Sequence, residues 1–488
     1  MATDVIDVRE ISERVFARAD VLDACRNRDL GIVIDVLGHH GVTQGRIAGL
    51  TGIPQGRLSE YKNHIRRPKH TSIFEDFANG VMMPPAARQA LGLSPGQLVK
   101  TSASGPLPDH GLSDVGLAYP DAPMKATENI ARLWRADLDN AGLIEARLEP
   151  AAWTDASLGW LVDPGQRPDS ENTSGVRIGL ADVVRFRATV EMFGQLDDRF
   201  GGGHGRQALI QYLHTDASRL LHGRYSGDVG RALFAAAAEA TLLAAWMCYD
   251  SAPESALAQR YFIQALALAE AGDDRLLGAS ILDAMSHQAT YTGRFSEAAN
   301  LARAAMAGTR GIATATLTSH FHAMEARALA RLGDAKGCDR AMADAVSAFE
   351  RRKPEDDPAW IRYFDEAELS AEFGHCLRDL GRHEDAARYA STSLVTVDDG
   401  SFMRSDFFVM IVLADAHLAA GDVERACRVA LNALTAGEQI RSARCIGYLQ
   451  EFHQRLTSAG ENRAAAEFSE QAKISRLWRI ASRAARDS

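Results

Sequence analysis

Lysine is scarce in this chain. Only seven of its 54 Lys and Arg residues are lysine. That skew accompanies GC-rich coding, so arginine abundance carries no functional signal of its own. The six cysteines (Cys25, Cys248, Cys338, Cys376, Cys427 and Cys445) lie far apart with no Cys-x-x-Cys pair. They read as reduced, mostly buried thiols of a cytoplasmic protein. Long apolar runs are missing too. The most apolar stretch, 232–249, is alanine-rich and holds Glu239, which suits a buried helix rather than a membrane span. Residues 1–9 carry acids and no apolar run, so neither a signal peptide nor a membrane partner is expected.

Constellations that carry chemistry are also wanting. No two histidines stand at i, i+4 on a helix, and His320 and His322 fall on different faces. With no carboxylate at matching spacing, no metal and no cofactor are expected. No nucleophile stands beside a base, so the chain does not read as an enzyme. The glycine-rich stretch 197–206 lacks the Gly-Lys-Ser/Thr ending of a phosphate loop, and no strand precedes it. It reads as a loop between helices whose glycines relieve backbone strain.

What is present is helical. Strand-like alternation is nearly absent, and the expected fold class is all-α. Residues 1–20 read as a flexible tail and 21–93 as a compact five-helix unit. A Pro/Gly/Ser-rich linker over 94–125 and a helical connector over 126–229 follow, the latter broken by a polar stretch at 163–175. Helical repeats over 230–474 and a capping helix with tail over 475–488 complete the chain. In the first unit, Leu30, Val33, Ile34 and Leu37 mark one helix face, ended by the glycines and histidines of 38–41. Near the C-terminus Ile474, Leu477, Trp478 and Ala481 form an apolar stripe for the cap.

Residues 43–68 concentrate the functional signal. Two short helices joined by a tight turn each open on glutamine, Gln44 and Gln55. Across 43–70 six cations stand against Glu60 alone, a local charge of +5 on a chain of net −10. A basic module on an acidic body suits DNA binding confined to one face. In the second helix Leu58, Tyr61 and Ile65 share an arc expected to face the core. The opposite arc holds Gly56, Ser59, Glu60 and Asn63, with Gln55 at the exposed start and Arg57 and Lys62 on the flanks. Gln55 suits adenine through its two-pronged amide, and Glu60 suits the cytosine amino group. Arg57 suits either guanine or a phosphate, and Gln44 either bonds a phosphate or braces Gln55. Asn63, Arg66, Arg67 and Lys69 read as backbone contacts that set affinity rather than sequence choice.

The C-terminal half repeats. Gly293, Gly333, Gly381, Gly421 and Gly460 are spaced by 40, 48, 40 and 39 residues. Five positions after each stands a small residue: Ala298, Cys338, Ala386, Ala426, Ala465. Glycine ends one helix, and small side chains let the next pack closely against it. Candidate groove aromatics are Trp246, Tyr249, Tyr261, Tyr291, Phe321, Trp360, Tyr363 and Phe407, most of them expected in the core.

Through Gln44, Ala48, Gly52, Ile53, Gln55, Leu58, Ser59, Asn63 and Pro68, the module resembles the phage-repressor (Xre or Cro-type) helix-turn-helix. His64 departs from that pattern where glycine is frequent, and Gly56 departs where a base-contacting side chain is usual. The repeats resemble tetratricopeptide repeats with a longer period, over roughly 230–474. Together these are similar to an actinobacterial one-component regulator. The resemblance implies a homodimer on double-stranded DNA, acting as a transcriptional repressor. A peptide, small molecule or protein in the groove would then modulate binding. Peptide-sensing relatives hold their ligand with inner-helix asparagines, whereas the repeats here offer only Asn300, Asn432 and Asn462. The alternative is a tetratricopeptide interaction scaffold with incidental DNA contact.

Overall fold

The computed structural model describes residues 14–16, 18–51, 53–68, 71–81, 83–93, 114–139, 148–162, 175–252, 256–395, 402–460 and 462–487. The described residues are all-α, without a strand, and hold one isolated bridge between Arg177 and Arg224. The chain divides into two compact units at residues 106/107.

The first unit contains α1 (Ala19–Arg26), α2 (Leu30–His39), α3 (Gln44–Thr51), α4 (Gln55–Lys62), α5 (Thr71–Gly80) and α6 (Pro85–Ala90). Among the described residues these six helices, besides the helical residues 14–16, stand where sequence periodicity predicts five. The extra one, α1, buries only Val21, Ala24 and Cys25 and surrounds them with Arg18, Asp20, Asp23 and Arg26 in local ion pairs. So narrow an apolar face gives little periodic signal. Val15 and Phe16, within the expected tail, are also buried in this core. Helix α2 starts where the Asp29 carboxylate accepts from the amides of Gly31 and Ile32, satisfying donors that have no intrahelical partner.

The second unit opens with α7 (Pro123–Leu138), α8 (Pro150–Val162), α9 (Leu180–Phe200), α10 (Arg206–Tyr212) and α11 (Ser218–Leu221). Six helix pairs follow. They are α12 (Gly227–Ser251) with α13 (Ala256–Ala271), α14 (Arg275–Tyr291) with α15 (Phe295–Gly308), and α16 (Ala315–Leu332) with α17 (Ala335–Phe349). Next come α18 (Glu366–Asp379) with α19 (His383–Val395), α20 (Met403–Ala419) with α21 (Val423–Ala436), and α22 (Ala443–Ser458) with α23 (Arg463–Ala472). Partners in each of the first five pairs pack closely, and the first helix of one pair packs on the first helix of the next from α14 through to α22. A last helix, α24 (Arg476–Asp487), covers α22 with Leu477, Trp478 and Ala481. Ile474, expected in that stripe, precedes the helix and is exposed. Of the expected linker, 94–113 lie outside the described residues. Its described end docks on α13, where Gln264 donates to the carbonyls of Gly116 (2.9 Å) and Ala118 (3.0 Å). Helix α12 is long and apolar enough to cross a membrane, but 72% of its apolar window is buried inside the protein.

The turns inside the pairs show why glycine recurs. Gly293, Gly333, Gly381, Gly421 and Gly460 all have φ between 72° and 87°, a region L side chains enter only at a cost. None has a neighbour crowding the place of a Cβ, so backbone conformation alone demands glycine. After two of them an aspartate caps the following helix: Asp334 accepts from the Gly337 amide and Asp422 from the Arg425 amide. One Gly-Asp dipeptide therefore stops a helix and starts its partner.

The array also closes on itself. Helix α9 packs on α20, and α12 on α22. At this seam Asp250 is fully buried. It accepts from the Gly202 amide (2.9 Å), the Ser442 hydroxyl (2.7 Å) and Arg444 Nε (3.0 Å), with Arg404 at 3.5 Å. Arg404 also donates to Asp197 (2.9 Å). The glycine-rich stretch is thus a connection between α9 and α10 that lies against other backbone. A Cβ on Gly202 would stand 2.5 Å from the Met247 carbonyl oxygen. Burial pushes Asp250 up, but Arg404, Arg444, Ser442 and Gly202 together hold it below the ordinary carboxylate value. At Asp197 burial wins, and the carboxyl is pushed up to about 6 although Arg404 opposes it.

Two outcomes follow for this seam. Asp250→Ala leaves Arg404 and Arg444 without their shared carboxylate and should destabilise the chain by about 3–5 kcal/mol in urea unfolding. Asp197 has a folded value above its ordinary 3.8. Its contribution is therefore fully present below that value and is lost as pH rises through about 6. The stability difference between the parent chain and Asp197→Asn, followed by urea midpoints, should shift in favour of the parent as pH falls from about 7 to about 5.

Candidate functional site

The first unit positions its polar residues by burying the apolar ones. Leu58 and Tyr61 of α4 are sealed against Val33, Ile34, Leu37 and Ile47. Thr43 receives the Arg46 amide at the start of α3, and Pro54 accepts the Arg57 and Leu58 amides at the start of α4. Between them the Thr51 hydroxyl bonds the Ile47 carbonyl and accepts the Ile53 amide, closing the turn. Gln55, Gly56, Arg57, Asn63, Arg66 and Arg67 are exposed, while Gln44, Ser59, Glu60 and Lys62 are partly covered. The Gln55 side-chain oxygen lies over the start of α3, 3.9 Å from where a Cβ on Gly45 would stand. Lys69 lies outside the described residues.

Several of these side chains are engaged. Lys62 reaches back to Asp35 on α2 (2.9 Å), and its ammonium holds that carboxyl below the ordinary value. Arg66 sits 3.7 Å from Glu60, and Asn63 donates to the Ser59 hydroxyl at 3.4 Å. All three pairs are at the surface, where such contacts are weak and readily exchanged.

Ile65 corrects the sequence expectation: it is 77% exposed. Helix α4 ends at Lys62, and His64 turns the chain with φ 54°. The Ile65 amide then bonds back to the Glu60 carbonyl, so Ile65 leaves the helical arc. The left-handed backbone at His64 is one that glycine enters at less cost than histidine. Here an imidazole 3.5 Å from Asp29 stands in its place.

In the second unit the interior of the array is largely filled by its own side chains. Asp283 on α14 pairs with His320 on α16 (2.5 Å), and Arg327 on α16 with Glu372 on α18 (2.5 Å). Tyr249 contacts His287 (3.1 Å), and Tyr448 on α22 reaches His375 on α18 (3.4 Å). Arg444 lies over the Tyr249 and Phe408 rings. Burial and neighbouring arginines hold His287 and His375 well below the ordinary imidazole value. Burial and the Glu372 charge push Glu368 up to about 7. Sequence reasoning missed this network, although a signal existed: the residue six before each of four repeat glycines is His287, Arg327, His375 or Asp415.

The aromatic candidates divide. Tyr249, Tyr261, Phe321 and Phe407 are fully buried, whereas Tyr363 is about half exposed. Asn300 and Asn432 are exposed on second helices, and Asn462 caps α23 by accepting the Ala464 amide. All six cysteines are free and buried. Among the described residues no group of His, Cys, Asp or Glu is placed to hold a metal ion. No protein-family model matches this chain, and no curated protein matches it in sequence.

The seat of α4 depends on Gly31. A Cβ there would lie 2.4 Å from the Tyr61 carbonyl oxygen and 2.9 Å from His64. Gly31→Ala should therefore destabilise the first unit by about 1–3 kcal/mol. A Cβ on Gly56 meets nothing within 4 Å, so Gly56→Ala should be neutral or stabilising by up to about 1 kcal/mol. Thermal unfolding of both variants checks the contrast.

Proposed function

We propose that this chain is a sequence-specific DNA-binding regulator. Its first unit acts as a phage-repressor-type helix-turn-helix, and its second acts as a tetratricopeptide-like array that modulates DNA affinity. The observation that carries the reading is the division of α4. Leu58 and Tyr61 are sealed in the core, while Gln55, Gly56 and Arg57 stand exposed at the helix start. Exposed Arg66 and Arg67 follow the helix. A helix so divided offers hydrogen-bonding groups to base edges and cations to phosphates.

In this reading Gln55 reads a base from the first turn of α4, with Gln44 beside it at the start of α3. Glu60 and Lys62 exchange their partners, Arg66 and Asp35, for groups on DNA. Binding is as a homodimer, with half-sites about 34 Å apart or a multiple of that, and it represses transcription. The array contributes through effector binding that favours one DNA affinity over another.

Gln55→Ala should cost about 1–3 kcal/mol on the operator and little on random DNA, whereas Arg66→Ala should weaken both alike. Fluorescence anisotropy with both DNAs at fixed salt measures this. Equal losses for Gln55→Ala on the two DNAs would remove its base-reading role. No preference of the parent chain for any chromosomal fragment would favour the interaction scaffold.

A further inference from the structure

One helix of the second unit turns a wide apolar face to solvent. Helix α9 spans 21 residues, about 32 Å at 1.5 Å per residue. Its inner face buries Val183, Phe186 and Val190 and packs on α12 and α20. Arg187 donates twice to Glu239 (3.1 and 2.9 Å), and Arg404 donates to Asp197 (2.9 Å). These contacts fix the rotation of α9 about its own axis. On the outer face Leu180, Val184 and Met192 are 57%, 66% and 51% exposed. Single exposed apolar residues are ordinary on a protein surface. Among the described residues, however, no other helix carries three large ones. At 100° per residue these three lie within about 120° of arc.

The face is symmetric about Ala188, which is exposed at its middle. Val184 lies four residues before Ala188 and Met192 four after it, about 40° to either side. Arg185 lies three before and Glu191 three after, about 60° to either side. Both charged residues are exposed, and Arg185 is paired with Asp182 at the surface, a contact that is weak and readily exchanged. Reversing the chain direction therefore exchanges an apolar residue for an apolar one and a cation for an anion. That pattern complements a helix that bears the same residues and runs the opposite way.

We propose that α9 is the surface on which two copies of this chain associate, packed antiparallel on α9 of the second copy with the two-fold axis at Ala188. The small side chain at the crossing point lets the helix axes approach to about 8 Å. Val184 of each copy then stands level with Met192 of the other, and the exposed apolar surface is removed from water. Arg185 of each copy stands level with Glu191 of the other, whereas a parallel pairing would set Arg185 level with Arg185. An interface of this kind is isologous and closes at two copies. The association stands on the second unit alone; only its use in placing two DNA-binding units on one operator rests on the regulator reading above.

Sedimentation equilibrium of the full chain without DNA tests it. A dimer is expected, and Val184→Glu should raise its dissociation constant by about ten-fold or more, because the new carboxylate is carried into an apolar contact. Arg185→Glu and Glu191→Arg should each raise it by about ten-fold, and the double exchange should restore it to within about three-fold. All these positions are exposed, and the circular dichroism spectrum should be kept. Ala188→Cys brings two thiols together at the axis and should give a disulfide-linked dimer with diamide as oxidant. Ser347→Cys, exposed on α17, should not, and the six native cysteines are buried. The proposal is overturned by a chain that stays monomeric at about 100 μM, by a dimer indifferent to Val184→Glu, by a double exchange that restores nothing, or by Ala188→Cys cross-linking no faster than Ser347→Cys. A dimer indifferent to DNA would remove the regulator reading and keep this interface, and a monomer that binds its operator would do the reverse.

Discussion

The second unit depends on the carboxylate of Asp250. Helical pairs stacked in a row contact only their neighbours, so such an array has no intrinsic reason to hold its two ends together. Here α12 at one end and α22 near the other meet through a fully buried acid. Its oxygens accept from a backbone amide, a hydroxyl and a guanidinium, with a second guanidinium close by. A buried charge is tolerated only when such partners replace water. The Gly201–Gly203 backbone provides the close approach: Gly203 donates to the Arg441 carbonyl and Gly202 to Asp250. Closing the array brings the first helices of successive pairs face to face. Polar residues on those faces then become a buried network instead of an open groove.

That closure sets what the interior can do. Much of it is spanned by the protein's own rings and ion pairs, with Tyr448 reaching His375 and Arg444 lying over the Tyr249 and Phe408 rings. A long extended ligand would have to displace them. A cavity among the described residues is lined by charges of both signs from Arg331, Arg378, Asp379, Asp415, Glu451 and Arg455, together with Ala330, Leu332, Gly333, His383 and Ala419. The first unit follows the opposite logic. Its apolar side chains seal the back of α4, and its polar ones remain at the surface in weak, exchangeable pairs.

The sequence was legible where a local rule decides the outcome. Five glycines at near-constant spacing announced helix ends, and every one has positive φ. Leu58 and Tyr61 followed helical periodicity into the core. Ile65 and Ile474 did not, because each lies just beyond a helix end, where the 100° rule stops applying. Helix α1 escaped notice for want of a wide apolar face. The interior network was hidden for a different reason. A histidine or aspartate in an alanine-rich helix looks the same in sequence whether it faces solvent or another helix.

Local chemistry in the sequence therefore determined the all-α class, the glycine-ended helices and the apolar back of α4, since each depends on residues a few positions apart. The tertiary structure decided what depends on distant residues meeting. Asp250 joins Ser442 and Arg444, Asp197 joins Arg404, and Arg378 stands 3.7 Å from Asp415. Pairings across such separations are set by the angle at which helices stack and by where the array closes, and neither is encoded in any short stretch of residues.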